Sequence, residues 1–144
     1  MSGLDSFFSP LRTAATGLSA ERVRMNVIAE NIAGAQVTRT PEGGPYQRKN
    51  VIFEPLVRQA PNGSQQVRGV QVARVEPDNV SAYLEIFAPG HPDANPETGK
   101  VLMPNVNTLS EMADLITSMR AYEANLTVQE GFIRSAERSL ELAR

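Results

Sequence analysis

The C-terminal end of the chain repeats apolar residues at alternating intervals of three and four positions. This spacing is the a/d seam of a heptad repeat, which is typical of helices that pack lengthwise against other helices. Gln129 is the polar exception in the seam, and Gly131 is the weakest helix former of the segment. The seam comprises Met112, Leu115, Met119, Tyr122, Leu126, Gln129, Ile133, Ala136, Leu140 and Ala143. We therefore predict a long C-terminal helix that needs a helical partner.

This helix is predicted to start at Thr108. The stretch "TLSE" places Thr108 three residues before Glu111, which is the spacing of a capping box. From residue 108 to residue 144 the helix would be about 50 Å long, at roughly 1.5 Å per residue. A compact domain of this size is only about 30 Å across. We expect the helix to project beyond any globular body that the rest of the chain forms.

A second heptad seam runs from about Leu4 to Ala33. Its main positions are apolar and fall seven residues apart, and Arg22 is the exception among the alternate positions. The seam consists of Leu4, Leu11, Leu18, Met25 and Ile32, with Phe8, Ala15 and Ala29 between them. Gly34 follows the last seam residue and is typical of a helix C-terminus. We predict that residues 1–33 form the second long helix.

Pro10 interrupts this N-terminal pattern in one of two ways. The interpretation we favour is a continuous helix that is irregular near Pro10, because proline removes a backbone hydrogen bond. In the alternative, Ser9 and Pro10 are the cap and the first helical position, and residues 2–8 form a separate turn.

Residues 34–107 change in character and are predicted to form a small, mostly antiparallel β domain. Nine of the ten prolines and seven of the ten glycines lie between Gly34 and Pro104. The stretches "NVIF", "VRGVQVARV" and "AYLEIF" are rich in β-branched and aromatic residues, and turn-forming stretches separate them. We expect four or five short strands, the last of them "KVLMPNVN", which leads into the C-terminal helix.

The predicted fold class is therefore α+β, with the two long terminal helices pairing as a coiled coil and a β-rich domain inserted between them. The pairing could be antiparallel or parallel. Both helices carry further apolar residues outside their seams, among them Ile116, Val128, Val23 and Val27. An apolar stripe this wide requires more than one neighbouring helix. A single chain supplies only one, so we expect other copies or other chains to cover the remainder.

Composition argues against several function classes. The formal net charge is −2, which lacks the basic footprint of a nucleic-acid-binding protein. Cysteine is absent, and the single histidine, His91, lies in a turn-rich loop without a second histidine to share a metal. No constellation of catalytic groups appears. We expect no catalytic residues, no cofactor, no metal, no small-molecule substrate, no transmembrane helix and no Sec-type signal peptide.

Three stretches of the sequence resemble the axial proteins of the bacterial flagellum, the rod and hook family. "MNVIAENIAGAQVTRTPEGGPYQRK" resembles the rod signature at the end of the N-terminal helix. "PGHPDANPETGKVLMPNVN" is similar to the segment that enters the C-terminal helix, and "EMADLITSMRAYEAN" is similar to that helix itself. The positions that fit the family pattern are Asn26, Asn31, Ala33, Thr38, Thr40, Arg120, Ala121, Tyr122, Ala124 and Asn125.

The resemblance implies a non-enzymatic structural subunit of the proximal rod of the flagellar basal body. Such a subunit would be exported by the flagellar type III export apparatus without a cleavable signal. It would polymerise in the periplasm with itself and with other rod proteins, above an inner-membrane ring or export-gate adaptor at the rod base. Its terminal helices would enclose the export channel of a hollow shaft that transmits torque.

The expected assembly interface follows from the seams and their flanks. It comprises Leu4, Phe8, Leu11, Leu18, Met25, Ile28, Ile32, Met112, Leu115, Met119, Tyr122, Leu126, Ile133 and Leu140. Asn26, Asn31, Thr38, Arg120 and Asn125 are the expected family-signature polar residues. Two other functions fit the same pattern: another axial subunit of the distal rod or hook type, or an adaptor that forms a coiled coil with one unrelated partner.

Overall fold

The computed structural model describes residues 8–59 and 63–142, and this part of the chain contains two helices and four strands. In chain order these are α1 (Ser9–Gly34), β1 (Lys49–Gln59), β2 (Gln65–Pro77), β3 (Leu84–Phe87), β4 (Lys100–Met103) and α2 (Thr108–Leu142). The α+β class with a long helix on each side of a small β region is confirmed. Leu4 lies outside the described residues.

Helix α1 has Pro10 in its first turn. The N–H of Arg12 donates to the carbonyl of Phe8 at 3.1 Å, so the helical hydrogen bonds start immediately around the proline. Proline is tolerated there because the first N–H groups of a helix have no intrahelical acceptor. The helix begins at Ser9 in the described residues, and since residues 1–7 lie outside them, both interpretations of Pro10 stay predictions.

Gly34, the last residue of helix α1, lies against an aromatic ring. A Cβ atom on Gly34 would lie 2.6 Å from the ring of Tyr46, closer than real side chains approach. The glycine therefore makes room for Tyr46 against the helix end. The N–H of Val37 donates to the Gly34 carbonyl at 3.0 Å and closes the turn that follows.

Helix α2 starts at Thr108 as predicted, but the predicted capping box is wrong. The side-chain oxygen of Asn107 accepts from the N–H groups of Leu109 and Ser110, at 3.1 and 3.2 Å. Asn107 is therefore the N-cap residue. The carboxylate of Glu111 does not return to the cap but bonds to Asn31 and Arg48 instead. The Glu111 carboxylate therefore bonds to side chains from other elements and not to the backbone at the start of its own helix.

The four strands form two separate two-stranded sheets, β1–β2 and β3–β4. Only five residues connect β1 to β2, which is too few for the crossover that parallel strands require. Strands β3 and β4 pair antiparallel, with Leu84 opposite Met103 and Phe87 opposite Lys100. Val101 of β4 is buried, whereas β3 is exposed along its length. The long β1 and β2 extend well beyond the short strands predicted from "NVIF" and "VRGVQVARV".

The chain divides into two compact units, and each contains parts of both helices and of the β region. The first unit gathers Met1–Met25, Ile52–Arg74 and Thr117–Arg144, and the second gathers Asn26–Val51 and Val75–Ile116. The division into domains at residues 1–33, 34–107 and 108–144 stays a prediction.

In the first unit, α1 and α2 pair antiparallel. The rings of Phe8 and Phe132 lie 6.1 Å apart, and a Cβ on Gly17 would meet the Asn125 amide nitrogen at 2.8 Å. Later positions of α1 thus lie beside earlier positions of α2. The absence of a side chain at Gly17 allows this close approach of the two helices. The helices pair as expected, but Gly17 and Asn125 belong to neither predicted seam.

The β1–β2 hairpin packs on α1 in the same unit. The hydroxyl of Thr16 accepts from the N–H of Val70 at 3.2 Å, and the guanidinium carbon of Arg24 lies 4.2 Å above the centre of the Phe53 ring. Gly69 has a φ of +145°, and a Cβ there would lie 2.1 Å from the Thr16 hydroxyl oxygen. The hairpin therefore contacts the helix through its backbone at this glycine.

We predict that Gly69→Ala lowers the free energy of unfolding by about 2–3 kcal/mol, because alanine disfavours this φ and its methyl group overlaps Thr16. Gly131→Ala is the matched control, since a Cβ at Gly131 meets nothing within 4 Å. It should instead raise the free energy of unfolding by up to about 1 kcal/mol through helix propensity. Urea unfolding followed by circular dichroism measures both, and equal effects would contradict the packing described here.

Candidate assembly site

One side of α2 in the first unit carries a row of exposed apolar side chains. Every seventh residue from Met119 onward is a large apolar side chain that remains exposed to solvent. The exposed fractions are 48% for Met119, 41% for Leu126, 44% for Ile133 and 71% for Leu140. These four residues, named here the α2 stripe, were all predicted for the assembly interface. Monomers rarely leave such a regular apolar series in water without a partner that covers it.

The other half of the predicted α2 seam is turned towards its own chain. Tyr122, Gln129 and Ala136 are partly buried. Ser118 is fully buried and Asn125 partly so, although the heptad pattern did not select them. The two series of seam positions in α2 therefore lie in different environments. One series faces α1, and the other, the α2 stripe, is exposed to solvent.

Small residues on α1 explain this separation. Ala14, Gly17 and Ala20 form the buried face of α1 in the first unit. Because they are small, α2 approaches α1 closely, and polar Asn125 fits beside Gly17. A helix that packs this closely buries a narrow strip, so large apolar residues to one side of the strip stay exposed.

The predicted apolar residues of α1 lie at the margins of that face. Leu11, Leu18, Met25 and Ile32 are partly buried, and Phe8 is exposed but beside Phe132. Ile28 is buried, so its side chain offers little surface to another chain. The contribution of these residues to assembly stays a prediction.

Acidic side chains accompany the α2 stripe. Glu123, Glu130 and Glu137 are exposed, seven residues apart, and each lies four positions after a stripe residue. Positions four residues apart are neighbours on a helix surface. Arg120 and Arg134 are exposed on the same side of the helix, within three or four positions of these glutamates, so the α2 stripe is flanked by charges of both signs.

The second unit also exposes apolar residues at the start of α2. Leu109, Met112 and Ile116 are exposed, whereas Leu115 is partly buried. Further exposed apolar side chains lie on and before β3, notably Val80, Leu84 and Phe87. Met112 belongs to the predicted interface, and the sequence pattern did not single out the surface around β3 for assembly.

A buried amide organises the polar interior of the second unit. Asn31 is 1% exposed and uses all four of its hydrogen-bonding positions. Its amide nitrogen donates to the Glu111 carboxylate at 2.9 Å and to the Lys49 carbonyl at 3.0 Å. Its oxygen accepts from the Lys49 N–H at 2.9 Å and from the Tyr46 hydroxyl at 3.0 Å. This one side chain therefore joins the end of α1 to the start of β1 and the start of α2.

The Tyr46 hydroxyl is suited to its role as a donor to Asn31. Burial raises the pKa of Tyr46 above its usual value, although the neighbouring ammonium of Lys49 partly opposes this. The hydroxyl therefore keeps its proton throughout the neutral pH range.

Arg48 neutralises the buried carboxylate of Glu111. The Arg48 Nε donates to Glu111 at 2.6 Å, while its terminal nitrogens lie 3.7 Å from Asp78 and 3.8 Å from Asp114. The backbone N–H of Arg48 donates to the Asn105 side chain at 2.8 Å. A buried carboxylate is tolerated only when it is paired and hydrogen-bonded, and Glu111 meets both conditions.

Asp78 holds the loop after β2 next to this cluster. Hydrogen bonds from the backbone and hydroxyl of Ser81, and from the N–H of Val80, lower the pKa of the Asp78 carboxyl below its usual value. Asn105 donates to the carbonyls of Asp78 and Ser81 at 3.1 Å each. Asp78 thus remains ionised near Arg48 well into the acidic range.

The family-signature polar residues occupy different environments. Asn31 is buried in the polar network, and the Thr38 hydroxyl donates to Asp93 at 2.8 Å. Asn26 and Arg120 are exposed, and Asn125 lies against Gly17. Sequence reasoning missed the roles of Glu111 and Arg48. The sequence does place Glu111 in the first turn of α2, but the capping-box interpretation assigned its carboxylate to the helix end.

The second unit also contains a cleft of about 620 Å³. It is lined by polar and charged side chains, including Thr38, Arg39, Asp93, Glu85 and Lys100. Asp93 is paired with Thr38 and Arg39, and Lys100 is paired with Glu85, so these charges are already neutralised. Among residues 8–59 and 63–142, no group of three potential metal-binding side chains comes together, and neither helix is long and apolar enough to cross a membrane.

We predict that Glu111→Ala lowers the free energy of unfolding by about 2–4 kcal/mol. The substitution leaves Arg48 without its closest anionic partner and Asn31 with an unbonded buried N–H. Glu85→Ala is the control, because it breaks a 2.8 Å ion pair with Lys100 in which both side chains are about half exposed. It should lower the free energy of unfolding by no more than about 1 kcal/mol. Chemical denaturation of both variants tests the difference, and a Glu111→Ala effect as small as the control would exclude a structural role for the network.

Two segments of the chain match flagellar protein families. Residues 11–39 match the family described as flagella basal body rod protein. Residues 97–129 match the family described as flagellar basal body rod FlgEFG protein C-terminal. The first segment covers most of α1 and the turn after it, and the second covers β4 and most of α2.

Full-length relatives extend this similarity to nearly the whole chain. The flagellar basal-body rod protein FlgC of Borreliella burgdorferi is 43% identical over 135 residues, covering 84% of this chain and 87% of its own. The FlgC of Bacillus subtilis is 36% identical over 149 residues, covering 95% and 98%. The FlgC of Salmonella typhimurium is 39% identical over 117 residues, covering 80% and 81%. The chain therefore belongs to the FlgC family of flagellar basal-body rod proteins.

Proposed function

We propose that this chain is a structural subunit of the flagellar basal-body rod, in its proximal part, and that it assembles through the α2 stripe. The observation that carries this proposal is the α2 stripe, which places large apolar side chains on the surface of a chain from a rod-protein family. Apolar surface left in water costs roughly 25 cal/mol per Å². Covering the stripe with neighbouring subunits recovers that free energy.

A repeating contact of this kind builds a filament. When a surface of one subunit binds a different surface of the next and the rotation does not close, the product is a helical array. Terminal helices packed side by side in such an array would form the wall of a hollow shaft around an export channel. Packed side chains have low compressibility, so the wall would transmit torque with little twisting.

The polar network supports the same function within the second unit. Asn31, Arg48 and Glu111 connect the two helices to the β region by buried hydrogen bonds. A satisfied buried network fixes one arrangement of the elements that it joins. A subunit that carries load needs such a fixed arrangement.

The partners and the location follow from family membership. We infer that the chain assembles with itself and with other rod proteins, and that it does so in the periplasm after passage through the flagellar type III export apparatus. An adaptor at the inner-membrane ring or export gate would contact the base of the rod. The role is structural rather than enzymatic.

We predict that Leu126→Asp prevents rod assembly and swimming while the isolated subunit still folds, with a free energy of unfolding lowered by no more than about 1–2 kcal/mol. Leu126 is 41% exposed on the surface of α2, so an aspartate there disturbs the contact with a neighbour more than the fold. Leu126→Met is the control that keeps an apolar side chain, and it should swim normally. The assay is complementation of a flagellated strain whose own gene has been replaced by each variant, with thermal unfolding of the purified chains.

Normal swimming by Leu126→Asp would show that the α2 stripe is not an assembly surface. A stable soluble complex with one unrelated protein, formed through the same residue and without rods, would favour the adaptor function instead.

A further inference from the structure

Two methionines of α2 are much more exposed than the other methionines that the structure describes. Met112 is 49% exposed and Met119 is 48% exposed, whereas Met25 and Met103 are partly buried. Met1 lies outside the described residues. Met119 is the first residue of the α2 stripe, and Met112 precedes it by about two turns of the same helix. Both exposed methionines therefore belong to the predicted assembly interface.

We propose that Met119 is an oxidation site, and that its conversion to methionine sulfoxide by hydrogen peroxide blocks assembly of the free subunit. The inference rests on the proposed function, because it concerns the surface through which the subunit assembles. It adds a chemical modification that controls whether this surface can be used.

The composition of the chain directs peroxide to methionine. Cysteine and tryptophan are absent, so neither a thiol nor an indole competes for the oxidant. A thioether reacts without first losing a proton, so the access of peroxide to the sulfur sets the relative rates of the methionines. Met112 and Met119 should therefore react before Met25 and Met103.

The step transfers one oxygen atom from hydrogen peroxide to the Met119 sulfur. A sulfur lone pair attacks one peroxide oxygen, an S–O bond forms and the O–O bond breaks. The sulfur loses two electrons and the peroxide gains them, and the second oxygen leaves as water with both protons. The product is a polar, chiral sulfoxide in place of an apolar thioether, and methionine sulfoxide reductases reverse the change.

The new oxygen is incompatible with the role of the stripe. The other stripe residues, Leu126, Ile133 and Leu140, have hydrocarbon side chains that offer no hydrogen bond. In the free subunit, water is the partner of the sulfoxide oxygen. Covering the stripe with apolar surface of a neighbour removes this water, and a buried polar group without a partner weakens a contact by roughly tenfold or more.

The same contact protects subunits that are already part of a rod. A stripe covered by a neighbour excludes peroxide from the Met119 sulfur, so sensitivity is confined to the unassembled subunit. Oxidation therefore stops the addition of new subunits and leaves existing rods intact.

Peroxide treatment of the purified chain, followed by peptide mass spectrometry, tests the chemical step. We expect Met119 to gain one oxygen at roughly three times the rate of Met25 and Met103, or faster. In isolated rods the rate at Met119 should fall by about tenfold or more, because the neighbour covers the sulfur. Equal rates for the methionines of the free chain, or an unchanged rate at Met119 in rods, would overturn the inference.

Three bacterial strains, each with its own gene replaced, test the effect on assembly. All carry Met112→Leu, so that Met119 is the one half-exposed methionine left among residues 8–59 and 63–142. The first keeps Met119, the second carries Met119→Leu, and the third carries Met119→Gln, which introduces a polar side chain of similar length. Leucine and glutamine have helix propensities close to that of methionine, so these changes alter polarity rather than the helix. Rods formed after a brief pulse of hydrogen peroxide are counted by electron microscopy of isolated basal bodies.

We expect the pulse to reduce new rods about tenfold in the strain that keeps Met119, and by less than about twofold in the Met119→Leu strain. All other peroxide-sensitive components are the same in both strains, so the difference between them is due to Met119. Met119→Gln should reduce rods about tenfold without peroxide, while the purified chain keeps the circular dichroism spectrum of the original.

The outcomes separate this inference from the proposed function. Equal loss of rods in the first two strains, or normal rods with Met119→Gln, would overturn the oxidation site. Neither result contradicts assembly through the rest of the α2 stripe, which fails instead if Leu126→Asp cells swim normally.

Discussion

The buried carboxylate of Glu111 is the constraint on which the second unit depends. A carboxylate that is 1% exposed must be neutralised and hydrogen-bonded, so its partners cannot move independently of it. Arg48 and Asn31 meet this requirement from the start of the β region and the end of α1. Asn105 accepts from the backbone of Arg48, and Tyr46 donates to Asn31, so the loops that contain Asn105 and Tyr46 are fixed as well. The geometry of the whole unit thus follows from satisfying one charge.

In the first unit, the sizes of side chains decide which surface is available for function. Ala14, Gly17 and Ala20 draw α2 close to α1 along a narrow strip, and polar Asn125 fills the space beside Gly17. Large apolar residues at those α1 positions would hold the two helices further apart. The small residues therefore set how closely α2 approaches, and the large α2 residues beside the strip remain exposed.

The β-branched stretches between the helices predicted the α+β class, and the heptad spacing was sufficient to predict both helices, because periodicity reflects local geometry. It could not predict which half of the seam faces inward. That choice depends on Gly17 and Asn125, which are distant in the sequence and meet only in the folded chain. The capping box failed for the same reason: Glu111 bonds to residues far along the chain, and Asn107 caps the helix instead. The family signature identified Asn31 but gave no indication of its four hydrogen bonds.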